Sequence, residues 1–377
     1  MRHDPKPRIL MTADAVGGVW TYATSLAAGL AADGWRVQLV TMGPKPSPEQ
    51  LAALPANSLI SIVQTELQLE WQDPAGLDIA RARTVLAGIA ADFSPDVIHC
   101  NGYREASYGW RVPTLVAAHS CVQSWARACG VSTFDDEPWL TYRQNIGAGL
   151  GSATAWVAPS QAFRSVIARL YQPNKPSRVI YNGIADDAPA RAAKRDVILS
   201  AGRIWDRGKN LRRLIEIADE LDWPLALAGA LHEPFSGGKA EPASAHYLGA
   251  LARPALLDEM HRAAIFVSPA RYEPFGLSVL EAASRGCALV LSDIPSFREL
   301  WDGAAVFVDP ESPGALIRGL TLLCHDDAVR SHLQHLAQER SRRYALTETV
   351  RAYQDLYRSL TQTVATADAS HSREMTA

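Results

Sequence analysis

No run of eighteen apolar residues occurs anywhere in the 377-residue chain, so no membrane-spanning helix is expected. The opening MRHDPKPRILMTADAVGG turns polar before a signal-like apolar stretch is complete, which makes a cytoplasmic location the expectation. Peripheral contact with a membrane through an amphipathic face needs no long apolar run and stays open. Cysteine is scarce. Cys100, Cys121, Cys129, Cys287 and Cys324 form no C-x-x-C pair and no zinc-type spacing, and an odd number of five argues against a disulfide framework. Neither charge sign dominates: 37 Lys and Arg stand against 40 Asp and Glu, a net charge of -3, so a nucleic-acid footprint is missing and no nucleic-acid partner is expected. Neither G-x-G-x-x-G nor G-x-x-x-x-G-K-[ST] is present, which weighs against nicotinamide dinucleotides and P-loop chemistry.

What is there is a soluble globular composition, 47% hydrophobic, on a chain long enough for two units of similar size. Short apolar runs alternate with helical periodicity. RILMTA, the loop DAVGG and a segment with Val19, Tyr22, Ala23, Leu26, Ala27 and Leu30 at helix spacing read as strand, loop and helix. RVQLVTM, DVIHC, PTLVAAH, AWVAPS and RVIY continue the strands, LDIARARTVLAGIAADF is a helix, and Ser160 is placed to cap another from Gln161. At residues 182 to 195 the pattern lapses into Gly, Pro, Ala and charge, a linker. DVILSAG, KNLRRLIEIADEL, PLALAG, PALLDEMHRA and IFVSPA then repeat the alternation. Continuous apolar strands between helices predict parallel sheets covered on both faces, hence two doubly wound α/β domains with a ligand cleft at the carboxyl ends of their strands. The expected boundaries are 1–182, 195–345, a last helix over 346–362, and a polar tail over 363–377 expected to be disordered.

Four segments carry candidate chemistry. In RYEPFGLSVLEAASRG, Glu273 and Glu281 flank a Pro-Phe-Gly-Leu turn that leads into a helix. Ser278 with Glu281 reads as a capping box, but capping leaves Glu273 unexplained beside helix N–H groups that favour an anion. SAGRIWDRGKNL sets Arg203 six residues before Lys209, with a helix expected from about Lys209; the pair could hold a diphosphate or be a solvated loop. Gly17 and Gly18 follow the first strand, where the backbone must turn tightly or pass close to a ligand. His119 ends an apolar strand and precedes SCVQSWARACGVSTFDDEPW, a stretch long enough to shape a pocket, whereas His99 reads as core or as support for other groups. Asp135 to Glu137 reads as an exposed acidic turn and not as a metal site. Trp20, Tyr103, Arg104, Trp125 and Trp139 are candidates for stacking on or bonding to a sugar, or are core side chains.

GGVWTYATSLAAGLAADGWRV, VIYNGI, SAGRIWDRGKNL and SPARYEPFGLSVLEAASRG with its Glu-x7-Glu spacing resemble the retaining glycosyltransferases of family 4. The resemblance covers nearly the whole chain. It implies the GT-B fold, two facing Rossmann-like domains, with the last helix crossing back onto the first. It implies transfer from a nucleoside-diphosphate sugar, UDP slightly favoured over GDP, to a glycan, lipid-linked or small-molecule hydroxyl, with no cofactor and no metal. By similarity Glu273 holds donor-sugar hydroxyls, Glu281 the ribose, and the N–H groups around Phe275, Gly276 and Leu277 the sugar and phosphate oxygens. Arg203 and Lys209 match the pair that grips the diphosphate, Gly17 and Gly18 the glycine loop near it, and His119 a histidine near the sugar. Many relatives read GxGP after the second strand of the second domain, where this chain has LAGALHEPFSGGKA. A sugar-nucleotide epimerase and an inactive nucleotide-sugar-binding protein are the alternatives.

Overall fold

The computed structural model describes residues 6–132, 134–185, 193–231 and 245–374, with side chains to 362. The chain divides into two compact units, one of residues 1–126, 131–183 and 346–377, the other of 127–130 and 184–345.

The first unit holds strands β1 (Arg8–Asp14), β2 (Arg36–Met42), β3 (Ile60–Gln64), β4 (Val97–Cys100), β5 (Thr114–Ala117), β6 (Ala155–Ala158) and β7 (Ser177–Val179). All pair in parallel, in the order β3-β2-β1-β4-β5-β6-β7. Its helices are α1 (Gly18–Ala32), α2 (Pro48–Ala52), α3 (Ile79–Phe93), α4 (Val122–Ala128), α5 (Glu137–Ser152) and α6 (Gln161–Tyr171). Ile9, Leu10 and Met11 are all fully buried, because β1 lies mid-sheet and is covered on both faces. Ser160 caps α6 as expected, its Oγ accepting from Phe163 N at 3.1 Å. The stretch read as a pocket-shaping loop after His119 contains α4, whose first turn is closed on Cys121 by Trp125 N at 3.1 Å.

The second unit repeats the plan with β8 (Arg195–Ala201), β9 (Leu225–Ala228), β10 (His246–Gly249), β11 (Ala263–Ser268), β12 (Ala288–Ser292) and β13 (Val306–Val308), all parallel in the order β10-β9-β8-β11-β12-β13. Its helices are α7 (Arg212–Ile217), α8 (Arg253–Arg262), α9 (Leu277–Ser284), α10 (Pro295–Trp301), α11 (Pro313–His325) and α12 (Asp327–Ser341). Alternate residues feed two cores: Leu199, Phe266 and Leu289 pack in one, Ile198, Ile265 and Val290 in the other. Each of these buried side chains contributes roughly 1.5–3 kcal/mol. The unit takes in Ile184, earlier than the expected Arg195: Ile184 N donates to Tyr344 O at 3.1 Å and its side chain joins the Phe275 core. The middle of the expected linker, 186–192, lies outside the described residues.

The last helix, α13 (Leu346–Glu374), packs on α1 and β4 of the first unit. Gln354 Nε2 donates to Asp33 Oδ2 at 2.7 Å, and Tyr357 shares a 2.6 Å hydrogen bond with His99 Nδ1. Its backbone is helical well past residue 362, where a disordered tail was expected; no Gly or Pro from 346 to 374 interrupts it.

Candidate functional site

In each sheet the strand order reverses between two central strands, β1 and β4 in the first, β8 and β11 in the second, and the loops leaving such a point form a crevice at the carboxyl ends. The second unit gathers Arg203, Lys209 and Glu273 there. Asp206 organises the loop after β8. Its Oδ2 accepts from Arg203 Nη2 at 2.6 Å and Nε at 3.2 Å, while its Oδ1 accepts from Gly208 N at 2.8 Å. Lys209 is ion-paired with Glu273, the two side chains 25% and 11% exposed, so the pair is largely shielded from water. Asn210, in the left-handed conformation at φ 57°, donates from Nδ2 to Pro269 O at 3.0 Å and to Pro310 O at 3.2 Å. Gly208 O accepts from Arg271 N at 2.9 Å and Tyr272 N at 3.1 Å. These bonds tie the loop after β8 to the loop after β11. The left-handed Asn210 also delays the helix: α7 begins at Arg212, not at about Lys209.

After Glu273 the chain turns through Gly276, whose φ of 92° suits glycine, and α9 starts at Leu277. Gly276 is the N-cap and supplies no side-chain bond, so Ser278 lies inside the helix and the expected Ser278–Glu281 capping box does not form. Leading N–H groups of such a helix lack intrahelical acceptors and attract anions. Phe275 is buried in the core against Tyr344, which leaves only its backbone to serve a ligand. Glu281 is also buried, and its Oε1 accepts from Arg253 Nε at 2.8 Å.

The first unit has its own pocket at the β1/β4 switch point, with Asp14, Asn101, His119, Glu70, Glu105 and Tyr142 in its wall. Gly17, at φ 98°, caps α1, and Gly18 begins it. His119 is half-buried; its Nε2 meets Asn101 Oδ1 at 2.8 Å and its ring lies edge-on to Tyr22, 4.5 Å between centroids. Burial holds its pKa down to about 4, so the ring is neutral at pH 7. Asn101 is fixed in turn by Thr12, donating from Nδ2 to Thr12 O at 2.6 Å. His99 is core: fully buried, stacked on Tyr353, with burial pushing its pKa down to about 3. Glu70 Oε2 accepts from the N–H groups of Tyr103 and Arg104 at 3.1 and 3.2 Å. Its pKa is pushed up to about 8 by burial and by neighbouring Glu105. Tyr103 and Arg104 are themselves buried, Tyr103 bonded to Ser120 O and Arg104 to Asp73 Oδ2 at 2.9 Å, so both serve the core. Asp135 to Glu137 is an exposed turn in which Asp136 precedes α5.

Two family models divide the chain between them. Residues 16–188 match Glycosyltransferase Family 4 and residues 184–340 match Glycosyl transferases group 1. The chain belongs to the family 4 glycosyltransferases. Over 100 residues it is 30% identical to the O-antigen biosynthesis glycosyltransferase WclY of Escherichia coli, a match that takes in 26% of this chain and 27% of the relative's length. Its fold is that of the sucrose-phosphate synthase of Thermosynechococcus elongatus, with a TM-score of 0.82 at 18% identity over 95% of this chain and 100% of that one. The HepE protein of Anabaena, solved in complex with UDP and glucose, follows at 0.70 and 17% identity, over 94% of this chain and 100% of that one. The two units of this family 4 chain are therefore the Rossmann-like domains of a GT-B fold.

The structure brings Arg203, Lys209 and Glu273 to one switch point, with Phe275, Gly276 and Leu277 at the adjoining turn, and sets His119, Gly17 and Gly18 at the other. Asp206, Asn210, Arg253, Glu70, Glu105 and Asn101 were not singled out from the sequence. Asp206 had a local signal, an Asp two residues before Gly that closes an Asx-turn. Glu70 and Glu105 had none, since their burial is set by tertiary contacts. The segment replacing GxGP lies at 232–244 for the most part, outside the described residues.

Proposed function

We propose that the protein transfers a sugar from a nucleoside-diphosphate sugar, UDP favoured over GDP, to an acceptor hydroxyl with retention at the anomeric carbon and without a metal. The second unit takes the donor and the first the acceptor. The observation that carries this reading is the shielded Lys209–Glu273 pair beside the glycine-capped start of α9. Breaking the anomeric bond puts negative charge on the departing diphosphate. Lys209, Arg203 and the α9 N–H groups are donors for that charge, and they stabilise the transition state more than the ground state. The carboxylate of Glu273 holds Lys209 in place and offers an acceptor to donor-sugar hydroxyls, and Glu281, steadied by Arg253, does the same for the ribose. With no carboxylate assigned as nucleophile, the departing phosphate takes the acceptor proton on the same face. On the likeness to the family, Gly17 and Gly18 face the diphosphate and the acceptor, and His119 lies near the sugar. The UDP and glucose bound by the Anabaena neighbour support the donor class. A cytoplasmic enzyme of carbohydrate biosynthesis, at most peripheral at a membrane, fits a chain in which no helix among the described residues is long and apolar enough to cross one.

Nucleotide release from a panel of UDP- and GDP-sugars tests the reading. Lys209→Ala should lower turnover about 10²-fold to 10³-fold, as removal of one preorganised donor commonly does, and Glu273→Ala should lower it as well, because it loosens Lys209 and removes an acceptor that positions the donor sugar. Absence of binding and hydrolysis for every donor would overturn it.

A further inference from the structure

No cationic side chain lines the pocket of the first unit among the described residues. Among its described wall residues Asp14, Glu70 and Glu105 are acids, and none is Lys or Arg. The nearby guanidinium of Arg104 is not part of that wall: it donates to Asp73 Oδ2 at 2.9 Å and Gln68 O at 2.6 Å, and only its Nε faces Glu105. His119 stays neutral. Glu105 is 2% exposed, and Oε1 lies 3.5 Å from Arg104 Nε. Oε2, equally shut off from solvent, has no hydrogen-bond partner among the described residues. It lies over Gly102 in the pocket wall, where a Cβ would come within 2.5 Å of it. A buried carboxylate oxygen without a donor costs free energy until something supplies one. Trp71 and Tyr142 add aromatic surface to the same wall. Aromatic surface beside carboxylate acceptors suits the apolar faces and hydroxyl edges of a sugar ring. A phosphate would find no Lys or Arg among the described wall residues to neutralise it, only acids, of which Glu70 keeps its proton at neutral pH, and low-dielectric surroundings magnify that lack.

We propose that this pocket selects an acceptor sugar unit free of phosphate and carboxylate groups, with Glu105 Oε2 accepting one of its hydroxyls. The inference rests on the acceptor role given to the first unit. Saturation-transfer NMR on the full chain, with the methyl glycosides of glucose, galactose and mannose and their 6-phosphates as probes and UDP as a separate probe, tests it. At least one methyl glycoside should bind, its 6-phosphate at least about tenfold more weakly, and Glu105→Gln should weaken the glycoside about tenfold while leaving UDP unchanged. Val19→Lys, which sets a cation in the pocket wall, should narrow the gap between glycoside and 6-phosphate, and it decides the matter if Glu105→Gln does not fold. Equal or tighter binding of the 6-phosphates, glycoside binding indifferent to both substitutions, or no glycoside binding would overturn the proposal. UDP that fails to bind would instead overturn the donor reading, leaving the glycoside comparison to decide this one.

Discussion

Asp206 holds both halves of the cation loop. Its carboxylate clamps Arg203 and closes the turn at Gly208, while its carbonyl accepts from Lys209 N at 3.0 Å and Asn210 N at 3.1 Å. Asp206→Ala would leave the Gly208 N–H without its acceptor and free the Arg203 side chain. We expect a stability loss of about 1–3 kcal/mol from the orphaned donor, and a fall in nucleotide release of about tenfold or more because a loosened cation no longer meets the developing charge in place. Urea unfolding and donor hydrolysis check the two effects separately; unchanged hydrolysis in a folded variant would remove Asp206 from the argument. Arg203, Lys209, Glu273 and Glu281 stand out in the sequence through charge type and spacing together with the family resemblance. Asp206, in the same stretch, carries only the weak Asx-turn signal, since an Asp in a loop is equally at home in solvent, and its 5% exposure marks it as structural.

Among the elements, α5 shows where close approach replaces side-chain packing. It crosses the turn at Arg104–Ser107 so tightly that a Cβ on Gly149 would sit 2.0 Å from Tyr103 O, a backbone atom that cannot swing aside. Gly147, on the same helix, has nothing within 4 Å of an added Cβ. Gly149→Ala should therefore destabilise by about 1–3 kcal/mol through overpacking, whereas Gly147→Ala should be neutral or stabilise by up to about 1 kcal/mol through helix propensity. Thermal melts of the two variants decide it, and equal midpoints would refute the close-contact argument. The glycines of NIGAGLGS that permit this contact also disguised the helix in the sequence. β3 was missed for a related reason. An edge strand buries only part of its surface, so ISIVQ lacks the continuous apolar run that announced β1 and β8. Most central strands were legible, although β12, buried along its whole length, was not read from the sequence and the edge strand β7 was; glycine-rich helices are decided by their neighbours.

At the scale of the whole molecule the two sheets share one strand order, but their buried ionisable groups differ. The first unit holds His99 and His119, with pKa values pushed down to about 3 and about 4, and Glu70, pushed up to about 8 with Glu105 also raised. From pH 4 to 6.5 the unfolded histidines bind protons that the folded ones refuse, so their contribution makes stability rise with pH. From the ordinary carboxyl range to pH 8 the folded state keeps a proton on Glu70 that the unfolded chain has lost, so that contribution makes stability fall as pH rises. Above pH 6.5 the histidine contribution is spent and the carboxyl one remains. Above pH 6.5 the first unit should thus weaken toward pH 8, by at most about 1.4 kcal/mol per pH unit for one such group. Hydrogen-exchange protection of the β1 and β4 amides, corrected for intrinsic rates, should trace this decline, with the β8 and β11 amides of the same chain staying level. Glu70→Gln keeps the shape and removes the proton equilibrium, so the slope above pH 6.5 should flatten. A slope that survives that substitution would assign the effect to another group, and the buried acid would then carry its charge at neutral pH.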